Sequence, residues 1–347
     1  MTSALAPRYH IMPDPVLGCQ VFPVDWPEIN WLAELPKDTY FALWVRDPYP
    51  ILPKGHNLYV VTFHQEPFDP DWLLAQANRI EAPIVVLNDG SAYDFPFPSN
   101  VHFFKYYSWH YHMQQIMSWF PDRQPRNLKY KISNVCNRIT QSKLLIFTAL
   151  MEYHTKDQLL VILGDWLEEK NVHFRQPTGI IELDQLADIF YQKYLGTLIR
   201  IDDFDNDKHN FQQTNSNPWQ PLYLESALHF SSEGYHYSLM DINGQQIIRP
   251  GPQFSEKTYK CLIAGTPFIA VGQFESYRYF RELGLRFDYG NIDLSWDNDP
   301  GNLTRLVSLI QMIKSLTKFS IDDIESMTKT STQHNFDHIW SGAFDRC

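Results

Sequence analysis

The chain has few cysteines, no long apolar run and no sign of a secretion signal. Its four cysteines are scattered and form no Cys-x-x-Cys pair, which argues against a zinc ribbon or a disulfide framework and favours a reducing compartment. No apolar run approaches the roughly 20 residues that a membrane helix needs. The N-terminus "MTSALAPRYHIMPDP" lacks the charged start and apolar centre of a signal peptide. The sequence therefore predicts a cytoplasmic protein with no membrane span.

Several common catalytic and nucleotide-binding motifs are also missing. The patterns GxxxxGK[ST] and GxGxxG do not occur, which argues against a P-loop NTPase and against an NAD enzyme of the usual type. The GxSxG motif of serine hydrolases is absent too. The net charge of −11 argues against a surface dominated by contacts with nucleic-acid phosphates, although a local basic cleft is still compatible with it.

Three groups of possible metal ligands occur, and each is better explained without a metal. They are His102 with His110 and His112, His334 with Asp337 and His338, and Asp203 with Asp205 and Asp207. The first has no carboxylate at metal-ligand spacing, and the second lacks the glutamate of a zincin. The third has Lys208 where a calcium loop needs glycine. The sequence therefore predicts no metal site.

The order of the predicted elements indicates an α/β protein. With 347 residues, 44% of them hydrophobic, the chain can bury a large core, and this length favours two domains. Strands are predicted at 39–45, 57–63, 83–89 and 100–106, with a helix at 69–82. Apolar strands alternating with a helix are typical of an open parallel sheet. The proline-containing stretch 118–127 is predicted to link an N-terminal domain, 1–120, to a C-terminal domain, 128–347.

The same alternation continues in the C-terminal part. Strands are predicted at 128–137, 158–164, 222–233 and 268–272, and helices at 138–153, 182–195, 256–264, 276–284 and 302–316. The helix at 302–316 is predicted to be the last long one. Residues 202–221 are interpreted as a polar loop.

Basic residues occur where two predicted strands give way to helices. Arg138 and Lys143 flank the first turn of one helix, and Lys257 lies in the first turn of another. A helix N-terminus carries a partial positive charge, so an added cation favours phosphate there, and two such positions suggest a diphosphate. Glu233 and Glu256 are then candidates to accept hydrogen bonds from ribose or sugar hydroxyls. Taken singly, each charge is better explained by an ordinary solvated helix start.

Four segments carry a resemblance to a known family. They are "KYKISNVCNRITQSKLLIFTALMEY", "LYLESALHFSSEG", "FSEKTYKCLIAGTPFIAVGQFESYRYFRELGLRFD" and "NIDLSWDNDPGNLTRLVSLIQMI". They resemble the C-terminal domain of GT-B-type glycosyltransferase-like proteins of bacteria, tailed phages and large viruses, which share an S-E-K-T motif and a G-x-P-F-I turn. The Glu-Lys pair is also similar to the donor site of α-1,3-fucosyltransferases. The resemblance covers about the C-terminal two thirds of the chain, with a gap at about 165–221.

The resemblance implies a GT-B fold, in which two Rossmann-like domains face a central cleft. It implies transfer of a sugar from a nucleotide-sugar donor, UDP-linked in our prediction, without a metal ion or other cofactor. The donor-binding residues that it implies are Arg138, Lys143, Glu233, Ser255, Glu256, Lys257 and Thr258. Arg138 and Lys257 would contact the diphosphate, and Glu256 a hydroxyl. The chain departs from the family on the first helix turn, where Gln141, Ser142 and Lys143 stand in place of the family's Arg or His.

An inverting transfer also needs a general base in the N-terminal domain to deprotonate the acceptor hydroxyl. His64, Glu66 and Asp89 each follow a predicted strand and are the candidates, with Glu66 or His64 preferred because of their acid–base chemistry. Each is explained equally well as a strand-end cap or an acceptor contact. A retaining enzyme would need no such base.

Two acceptors and one non-catalytic function are compatible with the sequence. A glycan acceptor suits the acidic charge. Related phages glycosylate hydroxylated or hydroxymethylated pyrimidines in DNA, which would place the protein in a bacterial or phage-infected cytoplasm. The aromatic run "YYSWHYHMQQIMSWF" would suit stacking of an extruded base, but it equally suits a buried helix. The third possibility is a sugar-nucleotide-binding protein without activity.

Overall fold

The computed structural model of the chain describes two compact α/β units. The described residues are 9–11, 38–45, 50–63, 70–88, 97–105, 113, 116–138, 140–166, 177–197, 217–232, 239–242, 245–248, 254 and 256–341. The first unit comprises Met1–Tyr111 with Leu239–Gly251, and the second comprises His112–Ser238 with Pro252–Cys347. Each unit contains a parallel sheet, which confirms the α/β prediction.

The first unit contains a five-stranded parallel sheet whose strands follow chain order. The strands are β1 (Tyr9–Ile11), β2 (Thr39–Val45), β3 (Leu58–Phe63), β4 (Ile84–Asn88) and β5 (Val101–Lys105). All neighbouring pairs are parallel. Helix α1 (Pro70–Arg79) connects β3 to β4 and buries Trp72, Leu73 and Ala77 against the apolar side chains of these strands. Strand β1 was not predicted, and the other elements agree with the predicted ones to within a few residues.

A hairpin from late in the chain also belongs to the first unit. It is formed by β9 (Leu239–Ile242) and β10 (Gln245–Ile248), which pair antiparallel. The predicted division, 1–120 and 128–347, placed this stretch in the C-terminal domain. The linker predicted at 118–127 groups with the second unit, where the Asn127 N–H donates to the Leu224 carbonyl at 3.0 Å. The Arg123 guanidinium lies 4.6 Å from the centre of the Trp340 ring.

The sheet of the second unit has a different strand order, β11-β8-β6-β7. Its strands are β6 (Tyr130–Arg138), β7 (Leu159–Trp166), β8 (Ser226–Ser232) and β11 (Phe268–Val271), and all neighbours are parallel. The chain first adds β7 on one side of β6 and then adds β8 on the other side. The strand order therefore reverses between β6 and β8, which is the position where open α/β sheets bind ligands.

Seven helices of the second unit lie wholly within the described residues. They are α2 (Gln141–Tyr153), α3 (Ile181–Lys193), α4 (Pro221–Leu224), α5 (Glu256–Ala264), α6 (Ser276–Glu282), α7 (Asn302–Ser315) and α8 (Ile321–Trp340). Helix α2 packs against α3 and α7, while α5 packs against α4 and α8. Every residue of β8 and β11 is buried, as expected where a parallel sheet is covered on both faces, and the buried set includes the polar side chains of Ser226, His229 and Ser231.

Two predictions for this unit were wrong. The segment from Leu222 begins with the short helix α4, and the strand starts only at Ser226. The helix at 302–316 is not the last long one, because the 20-residue helix α8 follows it. Helix α8 was missed because its buried face includes the polar residues Thr328, Ser331 and Asn335, which weaken the apolar periodicity. Its start does carry a sequence signal, a capping box between Ser320 and Asp323.

Within the described part of the chain, no helix has the length and apolar character needed to cross a membrane.

Candidate functional site

The centre of the second unit's sheet opens into a fork at the carboxyl ends of its strands. Strands β6 and β8 pair as far as Asn134 and Phe230. Beyond this point β6 continues with β7 as far as Arg138, while β8 continues with β11 as far as Ser232. The two central strands therefore separate at the point where the strand order reverses. We call this opening, bounded by 134–138 and 230–232, the β6–β8 fork.

Helix α2 begins directly after β6 and presents its N-terminus at this edge of the sheet. Thr140 caps the helix, because its side-chain oxygen accepts from the Lys143 N–H at 3.4 Å. The first turn contains no acidic residue, and the Lys143 side chain is 94% buried. Burial and the helix dipole both disfavour a cation at this position. An anion at the β6–β8 fork would offset both effects.

Helix α5 begins after β8 and is anchored to that strand by a buried hydrogen bond. The Ser231 and Thr258 hydroxyls lie 2.8 Å apart, and both side chains are fully buried. Thr258 was predicted as a donor-binding residue, and its described contact is with the sheet. Lys257, which precedes it in the first turn of α5, is half-buried. The hydroxyl pair thus fixes the helix turn that carries Lys257.

Lys143 and Lys257 act on the same region of β6. Burial raises the pKa of the Cys136 thiol to about 12, and the positive charges of Lys143 and Lys257 oppose that rise. Cys136 lies on β6 beyond Asn134, on the stretch where β6 has left β8. Both positive charges therefore act electrostatically on the stretch of β6 that contains Cys136.

Of the other predicted donor-binding residues, the structure describes only the backbone positions of two. Arg138 is the last residue of β6 and Glu256 the first residue of α5, but their side chains lie outside the described part of the chain. Glu233 and Ser255 also lie outside the described residues. The backbone thus brings the Arg138, Lys143 and Lys257 positions to one edge of one sheet.

The candidate bases of the first unit lie outside the described residues. Strand β3 ends at Phe63, immediately before His64, and β4 ends at Asn88, immediately before Asp89. These strands are neighbours in the sheet. Glu66 is likewise outside the described part of the chain.

Sequence reasoning missed the polar residues inside the β6–β8 fork. The Asn134 side-chain amide donates to the Phe230 carbonyl at 2.9 Å and lies 3.1 Å from the Ser232 hydroxyl. These contacts join residues more than 90 positions apart, so spacing along the chain could not reveal them. Composition gave little signal, because Asn134 is only one of several polar residues in β6.

On the opposite face of β6, a buried serine and histidine form a structural cluster. The Ser133 hydroxyl lies 2.8 Å from Nδ1 of His229 and 2.7 Å from the Ser226 hydroxyl, and all three residues are fully buried. Burial, together with the positive charges of Lys260 and Lys257, lowers the pKa of His229 to about 3. The imidazole is therefore neutral at physiological pH. The Ser133 hydroxyl also donates to the Leu222 carbonyl at 2.6 Å, so partners within the protein hold it in place.

The turn after β11 is supported by a buried acidic side chain. One Asp297 carboxylate oxygen accepts from the Tyr277 N–H at 2.8 Å, which caps the start of α6. The Arg305 guanidinium is fully buried and lies 3.3 Å from the Asp299 carbonyl and 3.5 Å from the Gly272 carbonyl. Burial raises the pKa of Asp297 to about 7, although the Tyr277 N–H and the Arg305 charge act in the opposite direction.

The raised pKa of Asp297 predicts a specific pH dependence of stability. Between its ordinary pKa of 3.8 and about 7, the folded state holds a proton that the unfolded state has lost. The stabilisation from this proton is complete below about pH 4 and disappears as the pH rises to about 7, with a slope of up to about 1.4 kcal/mol per pH unit. Asp297→Asn removes this slope.

Urea unfolding at pH 5, 6 and 7.5 would measure the effect as the difference in unfolding free energy between Asp297→Asn and the wild type. We expect the variant to gain relative stability as the pH rises. A difference that stays constant over this range would contradict the raised pKa.

No cluster of three or more potential metal ligands occurs among the described residues. In the histidine pair whose sequence pattern argues against a metal site, Nε2 of His334 lies 2.9 Å from the Gly284 carbonyl, and Nε2 of His338 lies 3.0 Å from the Leu283 carbonyl. The two imidazole rings are stacked 5.9 Å apart. Both histidines therefore hold the chain just after α6.

Comparison of the chain with protein-family models, with curated proteins and with solved structures found no match.

Proposed function

We propose that the chain is a GT-B-type glycosyltransferase whose second unit binds a nucleotide-sugar at the β6–β8 fork. The observation that carries the proposal is the convergence of two lysine-bearing helix starts, α2 and α5, on the place where the strand order reverses. Such starts are suited to phosphate, and two of them suit the two phosphates of a nucleotide-sugar. The S-E-K-T motif at 255–258 supports the same interpretation.

In the proposed reaction, the bond between the sugar's anomeric carbon and the diphosphate breaks, and the diphosphate leaves with the electron pair. The acceptor oxygen attacks that carbon and loses its proton to a base. Lys143 and Lys257 would stabilise the charge that develops on the leaving diphosphate, so that this step needs no metal ion. Ammonium groups at a partly desolvated site are more effective than they would be in water.

The first unit would supply the acceptor side and the base. His64 and Asp89 directly follow neighbouring strands, so the polypeptide leaves both strands at the same edge of that sheet. We propose a glycan as the acceptor because the chain is acidic, with a net charge of −11. Transfer of the sugar to hydroxymethylated DNA would show that this choice of acceptor is wrong.

A thermal-shift screen without added metal tests donor binding. Each of UDP, GDP, dTDP and CMP, and the corresponding nucleotide-sugars, is added in the presence of EDTA. A ligand that binds only the folded state adds about 2.7 kcal/mol of stability at 100 times its dissociation constant, which appears as a raised Tm. We expect one nucleotide to raise the Tm. A Tm that no nucleotide moves would refute the proposed donor site.

A second assay separates transfer from binding. Release of the nucleoside diphosphate from the bound donor is followed with a panel of glycans and with DNA containing hydroxymethylcytosine. Release that depends on a glycan is the expected result, whereas release that depends on DNA would change the acceptor. Binding without release under any condition would indicate a non-catalytic sugar-nucleotide-binding protein.

A further inference from the structure

Asn134 occupies the point at which the β6–β8 fork opens. It is the last residue of β6 that pairs with β8, and its side chain is 99% buried. Its amide nitrogen donates to the Phe230 carbonyl at 2.9 Å and approaches the Ser232 hydroxyl at 3.1 Å. Its amide oxygen has no hydrogen-bond partner among the described residues.

The orientation of this amide follows from its neighbours. A backbone carbonyl can only accept, so the NH2 group of Asn134 must face Phe230 and the oxygen must face away from it. The NH2 group is accounted for by its hydrogen bond to the Phe230 carbonyl, but a buried acceptor without a donor is costly. A bound molecule that supplies the donor to the amide oxygen would remove that cost.

We propose that the Asn134 amide oxygen accepts a hydrogen bond from a hydroxyl group of the bound nucleotide-sugar, either on the ribose or on the transferred sugar. This inference rests on the proposed function. A neutral acceptor suits the position because a carboxylate beside the diphosphate would add like-charge repulsion. Lys143 and Lys257 would then hold the phosphates, while Asn134 recognises the hydroxyl-bearing part of the ligand.

Calorimetric titration of the full chain with five probes tests whether Asn134 recognises the hydroxyl-bearing part of the ligand and not the phosphates. The probes are pyrophosphate, UDP, GDP, 2′-deoxy-UDP and UDP-glucose. In Asn134→Leu, we expect the affinity for the hydroxyl-bearing ligand to fall at least tenfold and the affinity for pyrophosphate to change less than twofold. Asn134→Ser, which is smaller and keeps a donor for the Phe230 carbonyl, provides the same comparison if the leucine variant does not fold.

The probes distinguish the two sources of the hydroxyl. A loss for UDP that is absent for 2′-deoxy-UDP assigns the ribose 2′-hydroxyl. A loss for UDP-glucose without one for UDP assigns the sugar. Ser133→Ala is the matched control, because it removes a buried hydrogen bond from the adjacent position of β6 on the opposite face of the sheet. It should leave the affinity ratio between nucleotide and pyrophosphate unchanged.

Equal losses for pyrophosphate and the nucleotides would mean that Asn134 only shapes the fork, and an unchanged affinity for all probes would mean that a water molecule satisfies the amide oxygen. Either result overturns the inference and leaves the proposed function standing. A wild-type protein that binds pyrophosphate no more weakly than the nucleotides overturns it as well. Binding of none of these probes, together with a Tm that none of the nucleotides in the thermal-shift screen raises, would remove the proposed function itself.

Discussion

Replacing Lys257 with alanine is expected to weaken binding of the nucleoside diphosphate by about 10- to 100-fold. A hydrogen bond that involves a charged group contributes about 1.5–3 kcal/mol, which corresponds to that range. Lys143→Met should have an effect of similar size, and the double variant should lose about 1,000-fold or more. Titration calorimetry at two salt concentrations would measure these affinities, because loss of a phosphate contact also reduces their salt dependence.

The stability of the Lys143→Met variant provides a control for folding in this experiment. Lys143 is almost fully buried in the first turn of α2, where the helix dipole opposes a cation. Methionine fills a similar volume without a charge, so Lys143→Met should cost no more than about 1 kcal/mol of stability while it weakens binding. Lys329→Ala removes an exposed helical lysine of the same unit and should change neither quantity. Intact binding in both site variants would contradict a phosphate site at the β6–β8 fork.

Phe280→Ala is expected to have the largest effect on stability, about 3–5 kcal/mol, because it empties the centre of an aromatic cluster. Phe280 is fully buried on α6. Its ring stacks on Phe254 at 4.0 Å between centroids and lies 5.7 Å edge-on from Phe268 of β11 and 5.3 Å from Phe287. Aromatic pairs of this kind contribute beyond the area that they bury.

Urea unfolding followed by circular dichroism would measure the Phe280 effect in the transition of the second unit. Ile181→Ala serves as the comparison, because this side chain is 77% exposed at the start of α3 and should change stability by no more than about 0.5 kcal/mol. A Phe280→Ala variant with a loss below about 1 kcal/mol would show that the cluster repacks around the cavity. Below its lowered Tm, the variant should still bind the nucleotide, since Phe280 makes no described contact at the β6–β8 fork.

The elements that were predicted accurately are those that a local sequence pattern reveals, such as a short run of apolar residues. Strands β2, β3 and β4 are short apolar runs, and their bounds differ from the predicted ones by a residue or two. Helix α8 illustrates the opposite case. Its polar buried face is satisfied by tertiary hydrogen bonds, such as that from the Asn335 amide to the Arg286 carbonyl at 2.7 Å. A prediction from apolar periodicity treats such polar residues as solvent-facing and therefore misses the helix.

The residues of the candidate site also fall into those that a local sequence pattern indicates and those that only the tertiary structure reveals. Lys143 and Lys257 were found from sequence because a cation beside a predicted helix start is a local pattern. Thr258 belongs to the same motif, but its hydroxyl is bonded to Ser231, a partner that spacing along the chain does not indicate. Asn134 was overlooked because an asparagine in a strand becomes informative only when its cross-strand neighbours are known.

By itself, the sequence determined the alternation of apolar strands and helices and the basic residues at two helix starts, since both depend on neighbours a few positions apart. The tertiary structure decided the strand order that separates β6 from β8, the burial of Lys143 and the position of the Asn134 amide oxygen, which has no hydrogen-bond partner among the described residues. These features depend on contacts between residues far apart in the chain. The free energy of such contacts comes from packing and from excluding water, which the order of residues specifies only through the complete fold.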